Sequence, residues 1–291
     1  MKQKFTKLII LILGLLLLTS CGSIEVVVEP VQQAQENQEL EVHFIDVGQG
    51  DAILIRTPMD ENILIDAGGN DDEERVVDYL RSQGVASLKA VVGTHPHEDH
   101  IGGLDLVIDQ FSVEKVYMPK VIHDTKTFED VLDAIDRKGL KITRAISGEK
   151  LEIEGAQGLF LAPVADKYKE LNNYSAVIRL QYKDTVFLFT GDAEALVEEE
   201  ILSSVSRGLL KADVLKVGHH GSYSSTSAPF LEVVAPSYAV IQLGRDNKYG
   251  HPHKETMDSL ENKGIQVLRT DMDGTVVFKS DGQKIQVLKG E

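Results

Sequence analysis

Among 291 residues there is no tryptophan and one cysteine. A single thiol closes no internal disulfide, so the fold has to stand without one. Aromatic residues make up 6% of the chain, which leaves a core to be built mainly from Val, Ile and Leu. Basic residues are scarce as well: 30 Lys and Arg face 46 Asp and Glu, a formal charge of −16. That balance argues against a protein that coats nucleic acid through counterion release, but not against an enzyme that touches a phosphodiester locally through metal ions. With 42% hydrophobic and 26% charged residues, disorder, collagen and coiled coil are excluded as whole-chain descriptions. The length allows one large α/β domain or two small ones.

The lone cysteine closes the one long apolar run. Lys2, Lys4 and Lys7 precede Leu8 to Leu18, and the run ends in Leu18-Thr19-Ser20-Cys21. A basic start followed by a short apolar stretch reads as a secretory signal, too short for a comfortable membrane span. Its ending resembles a bacterial lipobox, in which the cysteine is lipidated and becomes the new N-terminus. The alternative is an uncleaved anchor helix with a chance cysteine. Both place the body of the chain outside the cytoplasm, and the first expects a lipid anchor to the bacterial cell membrane through Cys21. Residues 1–20 are then the signal peptide. Residues 21–39, polar and rich in Gln, read as a flexible tether, with a stray strand over Ile24 to Val28 as the other reading.

From Leu40 the texture changes to short apolar runs broken by turn residues. LEVHFIDV, DAILIRT and NILIDAGG are strand-like, and EERVVDYLRSQG has helical spacing with a Gly84 stop. LKAVVGT reads as a buried strand, IGGLDLVIDQF as a helix, and FEDVLDAIDRKG as a helix closed by Gly139. In the second half AVIRLQYKD and TVFLFTGD form paired strands, after which helices and strands alternate to KIQVLK. Each half therefore starts with strands in hairpin-like succession and continues as alternating helix and strand. The pattern predicts an α/β (α+β) domain over residues 40–291, with two mixed sheets face to face and helices outside.

Seven of the nine histidines fall in three clusters: His95/His97/His100, His219/His220 and His251/His253. His43 and His123 stand apart, and a structural or surface role is expected for both. Directly after LKAVVGT comes Thr94-His95-Pro96-His97-Glu98-Asp99-His100. Buried together without a cation, these imidazoles and carboxylates would repel and desolvate one another. Neutral imidazole and carboxylate are the ligands that Zn²⁺ and similar ions prefer, and an irregular loop lets them fan out around two ions.

HPHEDHIGG resembles the HxHxDH signature of the metallo-β-lactamase superfamily, whose fold is an αββα sandwich. DVGQGDAILI, ILIDAGG, NNYSAVIRL, FLFTGD, DVLKVGHHGS and YGHPH resemble, in that order, the hydrolase domain at the C-terminus of ComEC-type competence proteins. The likeness runs over residues 40–285. In that family the domain follows a membrane channel, so the role in competence is left open here. The resemblance implies two divalent metal ions, with His95 and His97 on one, Asp99 and His100 on the other, and Asp192 bridging. Capping of a helix from Ala193 is the plainer role for Asp192. One of His219 and His220 completes the second site; His220 is favoured, with His219 facing substrate. The superfamily's further first-site histidine is missing, and Asn172-Asn173-Tyr174-Ser175 stands in its place. Zn²⁺ is the expected metal and Mn²⁺ the alternative.

Asp46 and Gly48-Gln49-Gly50-Asp51 are expected to line the floor of the site, and Asp66 to hydrogen-bond a ligand histidine from behind. Ordinary turn chemistry is the alternative for each. His251, ahead of the last helix, offers a proton donor or phosphate contact, or is a surface loop residue. The ligand set implies a hydroxide shared between two ions and steered by Asp99, with His219 or His251 protonating the leaving oxygen. The expected activity is an extracytoplasmic phosphodiesterase or nuclease acting on DNA. Teichoic acid, a phosphocholine ester or a small phosphoester is the alternative substrate, and a surface-binding lipoprotein with structural metals is the alternative of another class. No obligate protein partner is evident.

Overall fold

In the computed structural model, which describes residues 39–290, the strand-like runs pair into two sheets. The expected signal segment, Cys21, the tether and the Ile24 to Val28 run lie outside the described residues. The first sheet starts with an antiparallel meander of β1 (Leu40–Phe44), β2 (Ala52–Arg56) and β3 (Asn62–Ala67). It continues through α1 (Glu73–Ser82), β4 (Ser87–Val92), α2 (Glu98–Ile101), α3 (Leu104–Gln110), β5 (Ser112–Met118), α4 (Lys126–Arg137) and β6 (Ile142–Arg144). From β3 to β6 the strands run parallel.

The second sheet repeats the scheme. β7 (Lys150–Leu151), β8 (Gln157–Ala162), β9 (Val177–Tyr182) and β10 (Thr185–Phe189) are antiparallel neighbours. Then follow α5 (Ala195–Ser204), α6 (Arg207–Leu210), β11 (Val214–Lys216), α7 (Ala228–Val234), β12 (Tyr238–Ile241), α8 (Lys254–Asn262) and β13 (Gln266–Arg269), with β10 to β13 parallel. After α9 (Thr270–Asp273), β14 (Val276–Ser280) and β15 (Ile285–Lys289) return to pair beside β1. The strand orders are β15-β14-β1-β2-β3-β4-β5-β6 and β13-β12-β11-β10-β9-β8-β7.

Period-2 alternation explains the layering. On β2, Ile53 and Ile55 face the other sheet, while Ala52 and Leu54 face the helices. On β10, Phe187 and Phe189 point inward, and Val186 and Leu188 pack toward α5 and α7. The few aromatics are concentrated between the sheets, where Phe44 meets Phe278 at 5.7 Å and Phe189 at 6.0 Å between ring centroids. Each such fully buried side chain contributes roughly 1.5–3 kcal/mol. The outer helices supply amphipathic faces. On α4 Phe128, Val131, Ala134 and Ile135 are buried, and the Thr125 hydroxyl caps the helix by accepting from Phe128 N. No helix among the described residues is long and apolar enough to cross a membrane.

Two boundaries differ from expectation, and both concern the functional residues. The helix expected over IGGLDLVIDQF is two pieces, and the first begins at Glu98, so Asp99 and His100 sit on a helical turn rather than an irregular loop. Gly102 ends that turn where it presses on a neighbouring loop; a Cβ there would lie 2.3 Å from Asn70 N. α5 starts at Ala195 with Glu194 as its N-cap, so Asp192 is not the capping residue.

Candidate metal centre

The loops after β1, β3, β4, β10, β11 and β12 meet at one end of the sandwich. Asp66, at the end of β3, holds a left-handed φ of 56° and turns its carboxylate across to the loop after β4. Its Oδ1 accepts from Thr94 N at 2.8 Å, and its Oδ2 accepts from Thr94 Oγ1 at 2.7 Å and His100 Nδ1 at 2.8 Å. With the Nδ1 proton committed there, the His100 Nε2 lone pair faces inward, buried and without a hydrogen-bond partner. His220 is fixed in the same way. Its Nδ1 donates to Gln242 O at 2.8 Å, and its Nε2 is buried and unpartnered.

Asp192 is the hub. Its Oδ2 lies 3.3 Å from His100 Nε2, 3.5 Å from His220 Nε2, 3.8 Å from His219 Nε2 and 3.9 Å from His95 Nε2. His95 Nε2 and His97 Nδ1 converge at 2.9 Å, and Asp99 Oδ2 stands 3.3 Å from His220 Nε2. Two donors on one tetrahedral ion, at metal–nitrogen distances near 2.0–2.1 Å, would be roughly 3.3 Å apart. The observed spacings bracket that figure, and two overlapping groups, His95/His100/Asp192 and Asp99/His100/His220, present one ligand atom each within 4.8 Å. Inward-facing lone pairs with no partner are what a cation would satisfy. The donor set fits divalent metal.

Electrostatics point the same way. Burial opposes charge on His100, yet Asp192, Asp51 and Asp66 outweigh it and hold its pKa well above the usual histidine value. Burial likewise works against ionised Asp192, but His220, His100 and His95 outweigh it and hold the carboxyl well below the usual range. His220 is raised in the same way by Asp192, Asp99 and Asp51 against its burial, so at His100 and His220 a proton and a metal would compete for the same buried carboxylates. His95 goes the other way, pushed well down by burial and by His100.

The backbone is bent to serve this arrangement. His219 and His220 occupy consecutive left-handed conformations (φ 49° and 51°), each costing on the order of 1–3 kcal/mol for a residue with a Cβ. The bend turns both rings toward Asp192. Gly50 answers a close approach, since a Cβ there would lie 2.3 Å from Asp99 O, to which Asp51 N donates at 3.1 Å.

Beneath the histidines lies a residue that the sequence reading passed over. Lys216, the last residue of β11, is 1% exposed, and its Nζ reaches Asp51 Oδ2 at 2.5 Å, Gly191 O at 3.1 Å and Asp192 Oδ1 at 3.8 Å. The available signal was a lysine interrupting an apolar strand directly ahead of the paired histidines. Asp51 is thereby part of the floor, as is Gln49 on the cavity wall. Asp46 is not brought in; its Oδ1 closes a local turn by accepting from Gly48 N.

His251 meets the cluster from the far side, its ring centroid 5.6 Å from that of His219. Burial, then His220, His219 and His253, push its pKa down to about 4. His253 instead accepts from Tyr223 N at its Nδ1. His43 is a buried structural residue between Tyr79 and Glu41. His123 lies at the edge of the cluster, 6.3 Å from His97 between ring centroids, with its Nδ1 near Pro96 O. An open cavity of about 610 Å³ leads to these groups, with His97, Asp99, Asp192, His219, His220 and His251 on its lining.

Comparison with known proteins places this centre. The sequence profile of the metallo-beta-lactamase superfamily matches residues 45–245. ComE operon protein 3 of Bacillus subtilis (strain 168) is 33% identical over 260 residues, which are 84% of this chain and 33% of that protein. Competence protein ComA of Neisseria gonorrhoeae is 30% identical over 247 residues, again 84% of this chain and 33% of the relative. The chain therefore spans about a third of the length of these relatives. Among solved structures, the metallo-beta-lactamase fold protein YhfI from Bacillus subtilis superposes with a TM-score of 0.55 at 14% identity, covering 83% of this chain and 100% of that one. The αββα layering, the Asp192-centred histidines and the profile match agree, and the chain belongs to the metallo-β-lactamase superfamily of metal-dependent hydrolases.

Proposed function

We propose that the protein is a two-metal phosphodiesterase acting on DNA, held by a lipidated Cys21 on the outer face of the cell membrane. The observation that carries the reading is the convergence of four imidazole nitrogens on one carboxylate oxygen of Asp192. His95, His97 and Asp192 would hold one ion, and Asp99, His100, His220 and Asp192 the other, with Zn²⁺ favoured over Mn²⁺. Two divalent ions held there supply an acidified water as nucleophile and offset charge on the phosphoryl oxygens.

The chain's own residues do the rest. Asp66 and the Gln242 carbonyl orient His100 and His220, and Lys216 anchors the carboxylates below them. Asp99, half-buried with one oxygen against His220, holds a proton of the attacking water. His219 and His251 frame the opposite side of the cavity and offer a ring N–H to the leaving oxygen. DNA is favoured because one relative is named a competence protein and another a recombination protein.

One observation favours a smaller phosphoester or a cell-envelope polymer such as teichoic acid instead: Asp71, Asp72 and Glu98 line one wall of the cavity and repel a long polyanion. The test is hydrolysis of plasmid, single-stranded DNA, bis-p-nitrophenyl phosphate and teichoic acid by protein loaded with Zn²⁺ or Mn²⁺. Cleavage of DNA and the chromogenic diester, abolished by EDTA, is expected. Two bound metals with no hydrolysis of any ester would make the protein a surface-binding lipoprotein with structural metals. An unmodified Cys21 in mass spectra of membrane fractions would overturn the anchor.

A further inference from the structure

A run of aromatic rings leads from the metal centre to the surface. The His251 ring lies over that of His220, with centroids 6.3 Å apart and planes at 30°, and Tyr249 stacks on His251 at 5.6 Å and 24°. A second branch passes from His251 to His253 at 4.8 Å and on to Tyr223, also at 4.8 Å. The tyrosines that end the two branches are 50% and 71% exposed. Neither is buried enough to serve the core, and the chemistry described above uses neither.

The loop that carries Tyr249 is built rather than loose. Asn247 donates from Nδ2 to Gly244 O at 3.1 Å and to His251 O at 2.7 Å, and its Oδ1 accepts from Tyr249 N at 3.2 Å and His251 N at 3.0 Å. One side chain thus fixes the loop on both sides of the ring, so little freedom is lost when a ligand binds against it. Lys248 lies with its ammonium 5.2 Å from the Tyr249 ring centroid and has no carboxylate partner among the described residues. Asp71, Asp72 and Glu98 line the same cavity. A phosphate chain reaching the centre is repelled by those carboxylates and attracted by the Lys248 ammonium beside Tyr249.

We propose that Tyr249 and Lys248 form a stacking subsite for the nucleobase beside the scissile phosphodiester of a single-stranded nucleic acid, with Tyr223 as a second platform on the outer branch. The proposal rests on the phosphodiesterase reading and adds to it which strand form is held and by which residues. Every base offers a π-face to an aromatic side chain, and the neighbouring ammonium is free to move from the ring to the phosphate of the same nucleotide. In a duplex that face is already stacked on the next pair, and a polyol-phosphate polymer has no such face.

The test uses the metal-loaded full chain, and the absence of tryptophan leaves a clear optical window. A single-stranded hexanucleotide with 2-aminopurine beside a phosphorothioate linkage serves as the binding probe; bis-glyceryl phosphate and an abasic hexanucleotide serve as ring-free esters. Binding should quench 2-aminopurine emission. Tyr249→Ala should abolish the quench and raise KM for the base-containing ester about tenfold relative to the ring-free esters, Tyr249→Phe should restore both, and Lys248→Met should raise KM about threefold. Unchanged emission on binding, or a KM rise of equal size for esters with and without a base, would overturn the subsite. Absence of hydrolysis with a normal quench would instead overturn the phosphodiesterase reading and leave the subsite standing.

Discussion

Replacing Lys216 by methionine keeps the shape of the side chain and deletes its charge. In the folded protein the ammonium lies 2.5 Å from Asp51 Oδ2, and both residues are 1% exposed. Lys216→Met therefore leaves the buried Asp51 carboxylate with only the longer approaches of His220 Nδ1 at 3.5 Å and His100 Nδ1 at 3.7 Å; removing one member of a buried pair typically costs about 3–5 kcal/mol. The lost hydrogen bond to Gly191 O accounts for about 1 kcal/mol of that sum. In a domain of this size each kcal/mol moves the thermal midpoint by roughly 2–4 °C, so a fall of about 10 °C is expected. Adding Asp51→Asn removes the stranded charge, and the double variant should return to within about 2 kcal/mol of wild type. Urea unfolding in EDTA, followed by circular dichroism because the chain has no tryptophan, separates this effect from stabilisation by bound metal. A single variant that loses less than about 1 kcal/mol, or a double variant less stable than Lys216→Met alone, would refute the reasoning.

Asp192→Ala should lower the content of both metals, whereas His97→Ala should chiefly lower one; plasma emission spectrometry showing two full equivalents in Asp192→Ala would contradict the bridging role. Glu198 accepts from Thr226 N at 2.5 Å and Ser227 N at 2.8 Å, and burial raises its pKa despite these bonds. Above pH 4.5 the folded protein therefore keeps a proton that the unfolded chain has released, and the group's contribution to stability falls as pH rises through that window. Glu198→Gln lacks this slope, so urea titrations from pH 4 to 7 in EDTA should show the stability gap moving in favour of the variant, and a pH-independent gap would count against the assignment.

The layers and their order could be read from the sequence because the local signals agreed. Alternation on β2 and β10 reports a strand buried on both faces, and Gly139 after the apolar positions of α4 reports a helix and its end. The histidine cluster was legible for a different reason: so many imidazoles and carboxylates in one short loop have few uses other than a cation. The choice between His219 and His220 was not legible, because it depends on a bend that places two β-carbons in left-handed conformation and on a carbonyl from Gln242 that is distant in sequence. Lys216 escaped for a similar reason. Within VLKV it looks like a strand-edge cation, and only the parallel pairing of β10 with β11 sets it below Asp51 and Asp192. Asp46 and Asp51 look alike in sequence, yet a turn consumes the first and the interior takes the second.

The net charge of −16 bears directly on how a polyanion could be held. Several carboxylates nearest the chemistry are buried and matched to Lys216 and to histidine, among them Asp51, Asp66 and Asp192. Asp71, Asp72, Glu98 and Asp99 line the cavity with Lys248, and Asp192 reaches it from its floor. Among the described residues that line the cavity Lys248 is the one Lys or Arg, so binding is expected to come from one phosphate at the metal centre, one at Lys248, and the stacked base. Each phosphate neutralised on a single strand contributes about −0.7 to the slope of log K against log salt, so two contacts predict a slope no steeper than about −1.5. Titrating the phosphorothioate hexanucleotide into metal-loaded protein between low and physiological salt measures it. A slope steeper than about −3 would require a row of cations that this surface does not offer, and would refute local capture as the way an acidic chain holds nucleic acid.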